Sequence, residues 1–308
     1  MVPVILGMKV SDLNLHISKN KNVLIYVDGE LLHRNDAKIS VFDSGFMMGD
    51  GIWEGLRLSN NQWLFLDEHL ERLFEGAKAI DLEIGLTTDE LVDALEKTKS
   101  ANNMTTNAHA RLMVTRGVKS KPFQKPSFSM NGSTVVIIME HSDDSLENNS
   151  ISLASVPQVR GTPMMQDPKL NSHSKLNCIL ACIQAEKAGA DEALMMDPLG
   201  FVSTTNSCNF FIVKGGEVWT STGDYCMNGI TRKKIIYLCN TNQIPVYEKN
   251  FSLVDVYSAD ESFVTGTLGS LTPVHEIDGR KIVDNNNFKI TKKLQNLYLQ
   301  LTSNAQKN

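Results

Sequence analysis

Residues 191–220 read DEALMMDPLGFVSTTNSCNFFIVKGGEVWT, and they carry the clearest strand pattern in the chain. The runs DEALMMDPLGFVS and NFFIVKGGEVWT are rich in apolar, β-branched and aromatic residues and contain turn residues, so both predict strands. An apolar-periodic helix is predicted just before this stretch, at 175–189, and a turn followed by a helix just after it, at 227–242. This half of the chain therefore predicts a sheet with attached helices.

The other half gives the same kind of pattern. VLIYVDGELL (23–32) carries an Asp28-Gly29 hairpin signal. KISVFDSG (38–45) predicts a further strand, and helical periods follow at 65–82 and 87–102, the second with Thr87 or Thr88 near its cap. The polar stretch SDDSLENNS (142–150) is the best candidate for a domain boundary. The predicted division is an N-terminal extension, a small N-terminal domain, a linker with a connecting strand, and a large C-terminal domain, at 1–22, 23–145, 146–168 and 169–308.

Composition excludes several classes of protein. The 308 residues carry a formal net charge of −5, whereas a nucleic-acid-binding surface needs a basic footprint. No apolar run reaches the roughly 18 residues of a membrane-spanning helix, and no signal peptide is predicted. The five cysteines are odd in number and follow no disulfide or zinc spacing, so we expect buried free thiols and no metal. We expect a cytoplasmic protein that binds neither nucleic acid nor membrane.

Two turns of small residues are candidates for binding an anion. Asn228-Gly229-Ile230-Thr231 precedes a helix, whose unpaired N–H groups and positive dipole end suit a phosphate. The turn from Thr265 to Ser270 offers further N–H and hydroxyl donors. Arg72 adds a positive charge. Each signal also occurs in ordinary turns and solvated helices, so these residues only nominate a phosphate site.

Several motifs resemble, in their order, those of the class IV aminotransferases. The opening signature of the family resembles VFDSGFMMGDGIWEGLR (41–57) followed by HLERLFEGAKAI (69–80). Its later motifs resemble residues 191–220, GITR (229–232) and TGTLGSLTPVHEIDGR (265–280) of this chain. Occurrence together and in order is far more specific than any one motif. The resemblance implies a mixed α and β, two-domain fold, type IV of the pyridoxal 5′-phosphate (PLP) enzymes. It has a smaller N-terminal α/β domain and a larger C-terminal domain built on a β-barrel-like sheet.

The resemblance also implies PLP bound between the two domains, in a protein that works as a homodimer. Arg72 is similar to the phosphate-binding arginine of the family, and the other implied cofactor contacts are Thr204, Thr205, Ile230, Thr231, Gly266, Thr267 and Leu268. Such contacts would anchor the cofactor and leave its aldehyde free to meet a lysine.

Two lysines are candidates for the Schiff base to the cofactor: Lys169 in DPKLNSH and Lys175 in HSKLNCILA. The letters SKLN around Lys175 resemble the K-S-L-N run of the family. In the family, however, the lysine precedes the glycine of the next turn, here Gly189, by about eighteen or nineteen positions. Lys169 lies twenty positions before Gly189 and Lys175 fourteen, so Lys169 is favoured and Lys175 is the alternative.

Thr204 departs from the family pattern. It stands where most members have a glutamate that salt-bridges the protonated pyridine nitrogen. A hydroxyl cannot neutralise that charge, but it can donate to a neutral nitrogen or relay through water. The substitution predicts a weaker electron sink, looser cofactor binding or an unusual hydrogen-bond arrangement.

The substrate side is less specific. His109 and Arg111 alternate on one predicted strand and therefore point to one face. Arg111 resembles the arginine of a substrate-carboxylate pair, although a structural Arg–acid pair is an equal alternative. Phe46 is a candidate wall of the pocket, and Lys121 falls near the place of a carboxylate-binding arginine in D-amino-acid aminotransferases.

These features predict a PLP-dependent transaminase that moves an amino group from an amino acid or primary amine to a 2-oxo acid. A D-amino-acid or (R)-amine preference is favoured over a strict L-branched-chain preference. The alternatives are a PLP lyase of the aminodeoxychorismate type, a branched-chain amino acid aminotransferase, and a catalytically silent PLP-binding protein.

Overall fold

The computed structural model describes residues 10–142, 150–283 and 287–304. Within these ranges the chain forms two compact units. The N-terminal unit comprises residues 11–142 and 171–175, and the C-terminal unit comprises 150–170, 176–283 and 287–304. Most of the predicted boundary at 142–150 and the first part of the predicted N-terminal extension lie outside the described residues, and the domain limits taken from the sequence stay predictions.

The N-terminal unit is built on an antiparallel sheet of six strands. In chain order its elements are α1 (Val10–Lys19), β1 (Leu24–Val27), β2 (Glu30–His33), α2 (Ser44–Met48), β3 (Gly51–Ser59), β4 (Gln62–Trp63), α3 (Leu66–Ala79), α4 (Thr88–Ala101), β5 (Ala108–Thr115) and β6 (Thr134–His141). The strand order is β2-β1-β6-β5-β3-β4. Helix α3 packs against β3, and α4 packs against β1 and β6.

Alternation of small apolar and polar side chains produces this sheet. On β5 the side chains of Ala108, Ala110, Leu112 and Val114 are fully buried, and the residues between them face away from this core. The predicted cap of α4 is confirmed at Thr87, whose hydroxyl accepts from the Glu90 N–H while the Glu90 carboxylate accepts from the Thr87 N–H.

Two local predictions had opposite outcomes. The hairpin at Asp28-Gly29 is confirmed, because both residues adopt the positive φ values, 45° and 98°, that a tight two-residue turn requires. The strand predicted at 38–45 is wrong, because the Asp43 carboxylate accepts from the Gly45 N–H at 2.8 Å and starts the short helix α2. The strand propensity of the apolar residues in this segment is outweighed by that cap.

The C-terminal unit is larger and is also built on one sheet. Its elements are β7 (Ile151–Val156), α5 (Leu176–Ala188), β8 (Glu192–Met196), β9 (Val202–Thr205), β10 (Asn209–Lys214), β11 (Glu217–Thr220), α6 (Ile230–Thr241), β12 (Val246–Glu248), α7 (Leu253–Tyr257), β13 (Glu261–Gly266), β14 (Ser270–Ile277), β15 (Arg280–Lys281) and α8 (Lys289–Asn304). The strands predicted from residues 191–220 are confirmed as β8 to β11.

Six of these strands close into a ring. The order β10-β13-β14-β7-β8-β9 returns to β10 because Asn209 pairs with Thr204, whereas β11, β12 and β15 extend the sheet outside the ring. Phe210, Ile212, Val264 and Val274 are among the residues of its buried apolar core. The predicted β-barrel-like sheet is therefore confirmed, and closure leaves few strand edges exposed.

Other predictions concern cysteines and membrane helices. All five cysteines are free thiols, but only Cys226 and Cys239 are buried. Among the described helices, none combines the length and the apolar character needed to cross a bilayer. In the described part of the chain, no group of acidic, histidine and cysteine side chains could hold a metal ion.

Candidate functional site

A row of polar side chains crosses the sheet of the C-terminal unit. Asn209 on β10 lies opposite Thr204 on β9 and Thr265 on β13, so the three side chains share one face. All three are buried, and the Thr265 hydroxyl has no hydrogen-bond partner among the described residues. A buried hydroxyl without a partner is costly, and it points to a polar group that completes this site.

The N-terminus of α6 meets this row at Asn209. The Asn209 amide donates to the Met227 carbonyl at 2.9 Å, and a Cβ added at Gly229, the N-cap of α6, would collide with the Asn209 side-chain oxygen. Only glycine therefore allows this close approach. Ile230 and Thr231 at the start of α6 are buried, and no side chain caps the helix.

A buried helix start without a cap needs an acceptor for its first N–H groups. The Thr231 hydroxyl likewise has no hydrogen-bond partner in the part of the chain that the structure describes. The dipole end and these donors together fit a phosphate group. These donors support the prediction from the sequence, which stays a prediction, that this turn binds an anion.

The second small-residue turn joins β13 to β14. Gly266 ends β13, and Thr267 and Leu268 form the turn before Ser270 begins β14. Leu268 is largely exposed, and a Cβ at Gly266 would lie 3.2 Å from the Cys208 sulfur. This turn adjoins Thr265, the member of the polar row that lacks a partner.

Thr204 and Thr205 both bond to the Cys208 carbonyl. The Thr204 hydroxyl donates to it at 2.6 Å and the Thr205 hydroxyl at 3.0 Å. The proton of the Thr204 hydroxyl is therefore already in use, and the oxygen retains only acceptor capacity. Donation from Thr204 to a ring nitrogen would require this bond to break.

Glu192 on β8 is a buried acid that the sequence motifs did not indicate. Its carboxylate is buried on the face of the sheet opposite Thr204, because Met195 pairs with Thr204 and residues 192 and 195 alternate. One oxygen accepts from the Ser207 hydroxyl at 2.6 Å, and the other has no partner among the described residues. Burial raises the pKa of Glu192 above its ordinary value.

Glu192→Gln is expected to change how stability depends on pH. Since the folded state holds the Glu192 proton more tightly, ionisation above the ordinary glutamate pKa of 4.5 lowers the free energy of unfolding. The neutral amide lacks this penalty, so the variant should lose less thermal stability than wild type between pH 5 and pH 8. The exposed Glu186→Gln should behave as wild type. Equal pH slopes for wild type and Glu192→Gln would contradict the assignment.

In the N-terminal unit, Arg72 is held by Glu54, for which the sequence motifs predicted no role. Its Nε and Nη2 donate hydrogen bonds to the two Glu54 carboxylate oxygens at 2.8 and 2.7 Å. The His69 Nδ1 lies within hydrogen-bond distance of the same carboxylate, at 2.7 Å. Burial raises the pKa of Glu54, but the bonds from Arg72 and His69 outweigh it and hold the pKa below its ordinary value. Glu54 therefore orients Arg72 by a two-point contact.

Arg111 and His109 share the face of β5 that points away from the buried core. The Arg111 guanidinium carbon lies 4.1 Å from the centre of the Trp53 ring, and Arg111 makes no ion pair within the described residues. His109 instead pairs with Glu140 at 3.4 Å. Of the two, Arg111 is therefore the better candidate to meet an incoming carboxylate.

Phe46 and Lys121 lie apart from these clusters. Phe46 is 68% exposed on α2. The Lys121 ammonium lies 4.2 Å from the centre of the Phe128 ring, in the loop before β6. Their roles as substrate contacts stay predictions.

The segment 171–175 carries one lysine candidate and belongs to the N-terminal unit. It is anchored to the start of β3: the His173 N–H donates to the Gly51 carbonyl at 2.9 Å. Lys175 is partly buried, whereas Lys169, in the C-terminal unit, is exposed. Counting eighteen positions back from Gly189 reaches Asn171, so the family spacing leads to a residue that is not a lysine.

Comparison with known proteins gives the family. The class IV amino-transferase model matches residues 51–277. The chain belongs to the class IV aminotransferase family. It is 38% identical over 293 residues to the branched-chain-amino-acid aminotransferase-like protein 2 of Arabidopsis thaliana, a match that covers 95% of this chain and 52% of that protein. The chain thus spans about half the length of that relative.

Other relatives are matched over most of their length. A D-alanine aminotransferase of Listeria monocytogenes serotype 4b is 32% identical over 286 residues, covering 90% of this chain and 95% of that protein. The branched-chain aminotransferase of Thermoproteus uzoniensis, solved with norvaline, is 30% identical with a TM-score of 0.82, covering 91% of this chain and 95% of that one.

A further structural relative bears on the cofactor. Another branched-chain amino acid aminotransferase, solved with N-(5′-phosphopyridoxyl)-L-glutamate, is 25% identical with a TM-score of 0.84, covering 92% of this chain and 95% of that one. These family members share the architecture described above, so the predicted fold class is confirmed. The relatives include both branched-chain and D-alanine aminotransferases, so membership alone does not select a substrate.

Proposed function

We propose that this class IV aminotransferase is a PLP-dependent transaminase that passes an amino group from an amino acid or primary amine to a 2-oxo acid. The observation that carries the proposal is the buried, uncapped start of α6 beside the polar row of Thr204, Asn209 and Thr265. When bound, PLP supplies an aldehyde and an electron-withdrawing ring, which make proton removal next to the amine possible.

We assign the phosphate of PLP to hydrogen-bond donors at the start of α6 and in the turn between β13 and β14. The N–H groups of Ile230 and Thr231, the Thr231 hydroxyl, and the turn containing Gly266, Thr267 and Leu268 supply these donors. In the N-terminal unit, Arg72 is proposed as an anion-binding residue by its similarity to the phosphate-binding arginine of the family, with Glu54 fixing the orientation of its guanidinium. Thr205 is assigned to the support of the Cys208 turn next to Thr204.

For the donor, we propose a D-amino acid or an (R)-amine over a strict L-branched-chain amino acid. This choice rests on the sequence, in which Lys121 falls near the place of a carboxylate-binding arginine in D-amino-acid aminotransferases. The D-alanine aminotransferase relatives agree with it, and the branched-chain relatives agree with the alternative. The assembly is proposed to be a homodimer, which sedimentation of the purified chain would test. The acceptor is a 2-oxo acid whose carboxylate meets Arg111.

The test is a coupled transamination assay with PLP-loaded protein. Donors are D-alanine, L-leucine and an (R)-primary amine, each with 2-oxoglutarate or pyruvate as acceptor. We expect a new amino acid to form, fastest with D-alanine or the (R)-amine. PLP binding without any amino transfer would overturn the transaminase assignment, and release of pyruvate from aminodeoxychorismate would replace it with a lyase. Turnover of L-leucine alone would reverse the donor preference.

Arg111→Lys is expected to raise KM for the 2-oxo acid about tenfold, or about 1.4 kcal/mol, with a smaller change in kcat. A lysine keeps the charge but loses the planar two-point contact with a carboxylate and the stacking on Trp53. The exposed Arg280→Lys is the control. Steady-state kinetics with varied acceptor measure the effect, and an unchanged KM would remove Arg111 from the substrate site.

A further inference from the structure

Asn171 is fixed on both its backbone and its side chain. The Trp53 N–H donates to the Asn171 carbonyl at 3.0 Å, and the Asn171 Nδ2 donates to the Trp53 carbonyl at 2.6 Å. The residue is only 8% exposed. Asn171 is therefore locked against β3 of the N-terminal unit.

These bonds decide which way the amide points. Because Nδ2 is the donor to the Trp53 carbonyl, the acceptor Oδ1 must face the other way. There it meets the Lys175 ammonium nitrogen, Nζ, at 3.1 Å. The same nitrogen lies 5.4 Å from the centre of the Trp53 ring. The chain thus places a lysine amine against a rigid acceptor and an aromatic surface.

Lys169 has no described contact of its side chain with a fixed acceptor or an aromatic ring. Its side chain is exposed, and its described hydrogen bond is made by the backbone N–H, which donates to the Asp167 carboxylate at 2.9 Å. A long exposed side chain retains its rotamer freedom and its hydration, both of which work against a defined nucleophile.

We propose that Lys175 supplies the amine that links to PLP and that Asn171 is its positioning residue. The inference rests on the proposed function. On linkage the nitrogen lone pair would add to the aldehyde carbon, and a C=N bond would replace the C=O bond. The aldehyde oxygen would leave as one water that carries the two amine protons, so nothing is oxidised or reduced. By accepting one N–H, the Asn171 oxygen restricts the direction of that lone pair.

The first experiment maps the linkage in the full chain. Protein loaded with PLP is reduced with borohydride, which fixes the cofactor on the lysine, and its peptides are then sequenced by mass spectrometry. We expect the label on Lys175, its loss in Lys175→Ala, and its retention in Lys169→Ala. A label on Lys169 or on another lysine, with Lys175 unlabelled, would overturn the inference and leave the transaminase proposal intact. No label on any lysine would overturn both.

The second experiment tests Asn171 through a readout that a purely structural role would not move. In Asn171→Asp a carboxylate replaces the neutral acceptor and favours the protonated form of the Lys175 nitrogen once it is linked to the cofactor. The pH midpoint of the cofactor absorbance band should rise by about one unit or more. Asn177→Asp, six positions further along the chain on α5, is the matched control and should leave the midpoint unchanged. An unchanged midpoint in Asn171→Asp, with folding verified by circular dichroism, would remove Asn171 from this role.

Discussion

Glu54→Ala is expected to destabilise the N-terminal unit by about 3–5 kcal/mol, the usual cost of removing one partner of a buried charge pair. Glu54 is fully buried, and it holds both Arg72 and His69. Without it, the largely buried guanidinium of Arg72 loses the carboxylate that accepts from its Nε and Nη2. Denaturant unfolding followed by circular dichroism measures the loss.

The pH dependence of this effect follows from the lowered pKa of Glu54. Stability from the carboxylate is fully present above the ordinary glutamate pKa of 4.5 and is lost as the pH falls through the lower folded-state pKa. The difference between wild type and Glu54→Gln should therefore shrink in acid. The exposed Glu71→Ala on α3 is the control. A loss below about 1 kcal/mol for Glu54→Ala would mean that the pair behaves as a surface ion pair.

Thr231→Val is expected to weaken PLP binding about 10- to 100-fold. A hydrogen bond to a charged phosphate contributes about 1.5–3 kcal/mol, and valine has nearly the shape of threonine without the hydroxyl. Thr231→Ser keeps the hydroxyl and should bind nearly as wild type. Titration of the apoprotein, followed by cofactor absorbance, gives both affinities.

A comparison of PLP with pyridoxal, which lacks the phosphate, separates the phosphate contact from a general loss of packing. The affinity for pyridoxal should change little in Thr231→Val, since the missing hydroxyl is the one proposed to bond the phosphate. An equal loss for PLP and pyridoxal would place Thr231 elsewhere in the site. Buried Thr231 lies on the first turn of α6, so thermal melting is the check that the helix remains folded.

Local features of the sequence were sufficient for much of the fold. The hairpin at Asp28-Gly29, the capping box at Thr87, the strands of residues 191–220 and the helix after Gly229 depend on side chains within a few positions of one another. Turn conformation and capping are short-range effects, which a sequence pattern records directly. The order of motifs similarly identified the family, because each motif is a continuous stretch.

Short-range effects also explain why the strand predicted at 38–45 is wrong. The segment 38–45 has strand-like residues, but it became a turn and a short helix because one carboxylate, Asp43, caps a nearby N–H. Several short-range signals competed there, and the sequence pattern did not show which was stronger.

Only the tertiary structure decided which distant residues meet. The sequence by itself determined the family and the closed-sheet class, and it nominated the turn before α6 as an anion site. The fold decided that Glu54 holds Arg72, eighteen positions away, that Glu192 is buried on the face opposite Thr204, and that residues 171–175 pack on β3. These contacts depend on strand register and on which faces are buried, which spacing along the chain does not encode. Spacing favoured Lys169, whereas burial and the oriented amide of Asn171 support Lys175.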